Sequence, residues 1–212
     1  RLKKYIEFNE IDEQDIEQYK PKKLGVKMFL DFDENERIIA EIKFCYGDDE
    51  FNPLQSKISL KYPRDMIAEN KAVNMFRKTG FLFYETKECF ILPDEDKIYN
   101  FLSNEINNYM QVFEVMVTDN FKSKQIKQPK IGGIGVKVEN DLLTIDFEKL
   151  NIDINELQEI MSKYNLKKKY HKLKDGSFVS LEENEDLEFL DKLMSGMNLS
   201  YSELEKETIK LP

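Results

Sequence analysis

The chain has 212 residues, 41% of them hydrophobic, 34% charged and 12% aromatic, with a formal net charge of −9. That length can bury a core as one domain or two small ones, and 15 Phe with 10 Tyr exclude a disordered chain. The acidic total excludes a domain that binds nucleic acid with its whole surface. No run approaches the roughly 18 apolar residues of a membrane span, and no signal-peptide pattern opens the chain. Cys45 and Cys89 have neither metal spacing nor a secretory context, so both are expected to be reduced, in a cytoplasmic protein with no membrane partner. A chain that opens on Arg1 and stops at "TIKLP" is expected to be a piece of a longer polypeptide.

In chain order, residues 23–47 read as two strands around the turn "DENE", with β-branched or aromatic inner positions. A helix is expected from about Arg64 to Thr79, with Ala68, Ala72, Met75, Phe76 and Thr79 at helical spacing and Gly80 as its C-terminal cap. "GFLFY" and "ECFIL" make a second strand pair. The helix after Pro93 carries Ile98, Phe101, Leu102, Ile106 and Tyr109 on one stripe, and "VFEVMVTD" leaves it as a buried strand. The polar, basic and aperiodic residues 122–130 read as a linker. Beyond them "IGVKVE" and "LLTIDF" make a hairpin, and Asp153 with Glu156 caps a helix whose stripe is Ile154, Leu157, Ile160, Met161 and Tyr164. A hairpin around Asp175-Gly176 follows. Two short helices are expected to close the chain, one around Leu187–Met194 and one from Ser200, capped by Ser200 and Glu203. This order predicts an α+β fold: antiparallel strand pairs mixed with helices, in two small subdomains, 1–121 and 131–212.

No catalytic constellation emerges. "ILPDEDK" (91–97) imitates the strand and acidic pair of an ATPase, but no phosphate loop precedes it, and Asp94, Glu95 and Asp96 suit a helix N-terminus. "IGGIGVKV" (131–138) lacks the spacing of a phosphate cradle and leads into a strand. His171 is the sole histidine, without nucleophile or metal-ligand partners in the pattern around it.

The stretch "KKYHKLKDGSFVSLEEN" (168–184) concentrates the remaining chemistry. Residues 122–174 hold 12 lysines against seven carboxylates, inside an acidic chain. Lys167, Lys168 and Lys169 follow a helix end, where cations meet the negative end of the dipole. Lys172 and Lys174 are expected on one face of the next strand with Tyr170. A basic face carrying an aromatic could track a phosphate backbone, although Glu182, Glu183, Glu185 and Asp186 oppose its field. Asp175-Gly176 predicts a two-residue turn that pairs Leu173 with Phe178, Lys172 with Val179, His171 with Ser180 and Tyr170 with Leu181. The candidate nucleic-acid contacts are therefore Lys167, Lys168, Lys169, Tyr170, Lys172 and Lys174.

Taken together, "KKKYHKLKDGSFVSLE", "LSYSEL", "PKKLGVKMFLDFDENERIIAEIKFCYG", "RDMIAENKAVNMFRKTGFLF" and "IGVKVENDLLTIDF" resemble the bacterial helicase-associated domain found upstream of Swi/Snf-type ATPases. The family favours a second aromatic where this chain has His171. The resemblance implies a non-catalytic accessory region with no cofactor of its own, its partner a downstream ATPase motor in cis that carries ATP and magnesium. DNA or RNA is the further partner it implies. The alternative is a protein–protein interaction domain that meets its partner through an acidic face.

Overall fold

The computed structural model describes residues 22–55, 63–129, 135–139, 142–146, 154–200, 202 and 208–211. The fold is α+β, and the chain separates into two compact units, Arg1–Phe121 and Lys122–Pro212.

The first unit is built on a sheet in the order β4 (Leu82–Tyr84), β5 (Cys89–Leu92), β2 (Ile38–Tyr46), β1 (Gly25–Phe32), β6 (Glu114–Val117), with β3 (Asp49–Phe51) also paired to β2. Strands β1 (Gly25–Phe32) and β2 (Ile38–Tyr46) pair antiparallel in the register Gly25–Cys45 to Phe32–Ile38. Strand residues alternate between faces, and here Met28, Leu30, Ile38, Ala40, Ile42 and Phe44 fall on the buried one. Strand β3 is Asp49–Phe51; β4 (Leu82–Tyr84) and β5 (Cys89–Leu92) form the second antiparallel pair. Strand β6 (Glu114–Val117) differs from the buried strand expected of it. It lies at the sheet edge, parallel to β1, and is half-exposed because only one side has a neighbour.

Helix α1 (Met66–Thr79) starts where the Asp65 carboxylate accepts from the N–H groups of Ile67 and Ala68, and stops where Gly80 turns left-handed at φ +99°. The second helical run begins as α2 (Glu95–Asn100), with the Asp94 side chain accepting from Lys97 N–H. It widens to a π turn over Phe101–Glu105 and continues as α3 (Ile106–Val112). The expected stripe of Ile98, Phe101, Leu102, Ile106 and Tyr109 is buried throughout. The π turn supplies the extra residue that keeps Phe101 and Ile106 on one side. The Asp-Glu pair of "ILPDEDK" is thus a helix start. A short α4 (Asp119–Ser123) follows β6.

In the second unit, the segment read as a linker carries structure. Strand β7 (Ile126–Lys127) pairs parallel to β11 (Phe178–Ser180), and Asn184 Nδ2 lies 3.4 Å from both Gln128 Oε1 and the Pro129 carbonyl. Its sequence has no period because two paired residues are too few to show one. Strands β8 (Gly135–Glu139) and β9 (Leu142–Asp146) make the expected hairpin; its connecting residues 140 and 141 lie outside the described residues. Helix α5 (Ile154–Asn165), the hairpin β10 (Tyr170–Lys172) and β11 (Phe178–Ser180), and helix α6 (Glu185–Gly196) share one core of Leu157, Ile160, Met161, Val179, Leu181, Leu187, Leu190 and Met194. Asp153, Glu203 and the glycines of "IGGIG" before Gly135 lie outside the described residues. The helix expected from Ser200 falls mostly on residues 201 and 203–207, outside the described residues; beyond them Thr208–Leu211 is a strand, β12, antiparallel to β9. A free edge on β9 and the extended preference of Thr and Ile decide that segment.

Candidate nucleic-acid interface

The six candidate contacts run from the end of α5 to the tip of the β10–β11 hairpin. Helix α5 ends in a reverse turn in which Lys167 N–H bonds to the Tyr164 carbonyl (2.9 Å) and Lys168 N–H to the Lys163 carbonyl (3.1 Å), with Lys167 left-handed at φ +57°. Lys167, Lys168 and Lys169 are exposed as the chain descends into β10. Tyr170 is half-buried, its ring edge-on to Phe178 at 5.3 Å. Lys172 is also half-buried and lays its ammonium 5.9 Å from the centre of the same ring. Lys174 is exposed in the turn. Among the described residues no ion pair holds Lys167, Lys168, Lys169 or Lys174, whereas Lys127 pairs with Asp175 and Lys192 with Glu188.

The hairpin register differs by one residue from the expected one. Tyr170 faces Ser180, His171 faces Val179 and Lys172 faces Phe178. The turn holds three residues, Lys174, Asp175 and Gly176. Gly176 is left-handed at φ +82°, and Leu173 N–H donates to the Ser177 carbonyl at 2.8 Å. The reason is Asp175. Its carboxylate accepts from the Ser177 N–H (2.8 Å) and hydroxyl (2.5 Å) and from Lys127 Nζ (2.7 Å), three bonds that a two-residue turn would not bring together. Lys174 therefore sits in the loop, off the strand face shared by Tyr170 and Lys172. Its N–H lies 3.2 Å from Glu156 Oε1.

Cross-strand partners share a face, so His171 lies with Val179 on the core side, 3% exposed. Leu181 N–H bonds to the Lys169 carbonyl at 2.9 Å, which brings Glu182 and Glu183 to the same end of the hairpin as Lys169. The basic surface is consequently bounded by carboxylates on that side.

Asp175 makes this turn pH-sensitive. Burial pushes its carboxyl up, but the hydrogen bonds from Lys127 and Ser177 outweigh that and hold it at about 2. A carboxyl lowered on folding stabilises above its unfolded value near 3.8 and loses that contribution as pH falls towards 2. The side chain is 56% exposed, so the effect is under about 1 kcal/mol. Replacing Asp175 with Asn should lower stability by that amount at pH 6 and leave it unchanged near pH 2, read from urea unfolding at both values. An equal cost at both would show that the charge is irrelevant.

Sequence reasoning passed over a polar network in the first unit. Glu69 of α1 is 4% exposed; it accepts from Tyr46 Oη (2.8 Å) and from Arg64 Nε (2.9 Å) and Nη2 (2.5 Å). Tyr46 Oη in turn accepts from the Asp65 N–H, and the Arg64 guanidinium lies 5.0 Å from the Phe51 ring centre. Burial, then the Glu69 carboxylate, pushes the Tyr46 phenol up to about 12, so it stays a donor at neutral pH. The signal was present: Glu69, Ala72 and Phe76 fall on one helical stripe. A second group joins Thr79, Glu105 and Tyr109 beside the π turn. Both networks are internally satisfied and tie α1 to its neighbours.

Among the described residues no group of three His, Cys, Asp or Glu could hold a metal ion, and no helix is long and apolar enough to cross a membrane. Cys45 and Cys89 are free thiols. These features define a two-unit α+β module in which Lys167, Lys168, Lys169 and Lys174, exposed and without ion-pair partners among the described residues, stand beside a β-hairpin. The chain belongs to the bacterial SNF2 helicase-associated family, whose model matches residues 1–212. No curated protein and no solved structure matches it.

Proposed function

We propose that the chain is a non-catalytic accessory module that acts in cis with a SNF2-type ATPase motor and positions or regulates that motor on nucleic acid in the cytoplasm. ATP and magnesium belong to the motor. The observation that carries this reading is the exposure of Lys167, Lys168, Lys169 and Lys174 without ion-pair partners among the described residues of an acidic chain. Family membership supplies the motor; the lysines supply a surface for phosphate.

Labelled DNA or RNA should bind the chain in a salt-sensitive manner. Changing Lys167, Lys168 and Lys169 together to Glu should weaken binding about a hundredfold or more at 0.1 M salt, as three phosphate contacts are lost. Lys172 is left in place because its stem covers Phe178. Equal binding by the triple variant would remove the lysines from the interface. ATP hydrolysis by this chain alone should be absent, and turnover above background would overturn the non-catalytic assignment.

A second reading, a protein–protein module, draws on α6. Phe189 is 56% exposed there, with Glu185 and Glu188 also exposed on the helix surface. Failure of the wild-type chain to bind either nucleic acid at low salt would favour it.

A further inference from the structure

Among the described residues, α1, α5 and α6 end in the same hydrogen-bonded turn, and the α5 turn alone is finished with lysines. In this turn one residue goes left-handed and the next N–H reaches back to the helix, usually with an apolar side chain folding over its partner. At the end of α1 these places are Gly80 and Phe81. The Phe81 N–H bonds to the Phe76 carbonyl at 2.9 Å, and the two rings meet at 5.6 Å. At the end of α6 they are Asn198 (φ +56°) and Leu199, whose N–H bonds to the Met194 carbonyl at 3.0 Å while its side chain packs on the core that holds Met194. At the end of α5 the left-handed place is Lys167 and the apolar place is Lys168, with Leu166 before them 68% exposed.

Ending the helix does not require this choice. The carbonyls of Ser162, Lys163 and Tyr164 already accept from the N–H groups of Leu166, Lys168 and Lys167, so no ammonium is needed to satisfy them. Lys163 already meets the helix dipole one turn earlier. A left-handed lysine is less stable than a glycine in the same place. Positive φ by itself is not distinctive, since Glu36, Glu88 and Glu183 share it. What sets this turn apart is a left-handed lysine, an exposed lysine where the other two helices pack an apolar group inward, and an exposed leucine, all within four residues.

We propose that Leu166–Lys169 is the phosphate-gripping element of this chain. It takes the phosphodiester backbone of a nucleic-acid strand without regard to sequence, with Leu166 against the sugars. Lys172 and Tyr170 are framework around Phe178 and do not contact the strand. This rests on the nucleic-acid reading above and narrows it to one turn.

The test compares the whole wild-type chain with Lys167→Gly and Lys172→Met, using labelled mixed-sequence single-stranded and duplex DNA over a salt series. Lys167→Gly should raise the melting temperature by about 2–4 °C. The same variant should weaken binding about fivefold at 0.1 M salt and flatten the slope of log affinity against log salt by about 0.7–0.9, one phosphate contact. Gain of stability and loss of binding in one variant is the signature of a residue kept for its ligand. Lys172→Met, which keeps an unbranched stem over Phe178, should bind within about twofold of wild type. Wild-type binding with an unchanged Lys167→Gly slope, or with Lys172→Met losing as much as Lys167→Gly, overturns this assignment alone. A Lys167→Gly variant no more stable than wild type overturns the strain argument and the assignment with it. Absence of wild-type binding to both probes overturns the assignment and the functional reading together.

Discussion

Replacing Phe76 with Ala should lower the stability of the Arg1–Phe121 unit by about 3–5 kcal/mol, which we expect to be the largest single-residue effect in the chain. Phe76 is fully buried on α1. Its ring meets those of Phe81, Phe90, Tyr109 and Phe113 at centroid distances of 5.6, 4.8, 5.3 and 5.9 Å. It therefore joins α1 to β5 and to the helical run that ends at Phe113, and its loss opens a cavity that rigid neighbouring rings fill poorly. Small domains are stable by only about 5–15 kcal/mol, so the unit should be marginal at 37 °C. Urea unfolding followed by tyrosine fluorescence reads the change. Phe76→Leu, which keeps most of the volume, should cost about 1–2 kcal/mol. A cost below about 1 kcal/mol for the alanine would mean that the aromatic cluster repacks freely and does not organise the unit.

Glu69→Ala should cost about 2–3 kcal/mol, more than an exposed carboxylate, because its removal strips partners from two other groups. Arg64 loses its bidentate acceptor, and the Tyr46 hydroxyl, itself buried, loses the carboxylate it donates to. Breaking a fully buried pair costs about 3–5 kcal/mol. The Arg64 side chain is 31% exposed and recovers some hydration, so the lower figure applies. A double-mutant cycle with Arg64→Ala should show a coupling of about 1–2 kcal/mol. Additive costs would show that the pair is a neighbourly contact and that Glu69 is held by Tyr46 alone. A comparison with Glu69→Gln separates charge from hydrogen bonding, since the amide still accepts from Tyr46.

Where one local rule was enough, the elements could be read directly. The β1–β2 pair follows from alternation around "DENE", and α1 from its apolar spacing with Gly80 at the end. The acidic start of α2 follows from Asp94 before the first turn. The lysines were visible as a charge run, but their status was not. Only the register of β10 on β11 shows that Lys172 is half-buried over Phe178 while Lys174 stands in the loop. That register turns on the bonds from Ser177 and Lys127 to the Asp175 carboxylate. The Lys127 bond spans 48 residues and comes from a segment that reads as a linker because its strand is two residues long. The same limit hid β12, whose place is decided by the open edge of β9 more than by the four residues of Thr208–Leu211.

What the sequence determined by itself is the class of fold, the position of the main helices and hairpins, and the family, since periodicity, caps and a distinctive phrase are local properties of the chain. The tertiary structure alone decided which polar groups are buried and which are offered to solvent. Glu69 and His171 went inside because their faces carry core residues. Lys167, Lys168 and Lys169 stayed outside because the backbone, not their side chains, closes the α5 turn. Burial depends on which surface each element turns towards its neighbours, and that is settled by contacts between residues far apart in the chain.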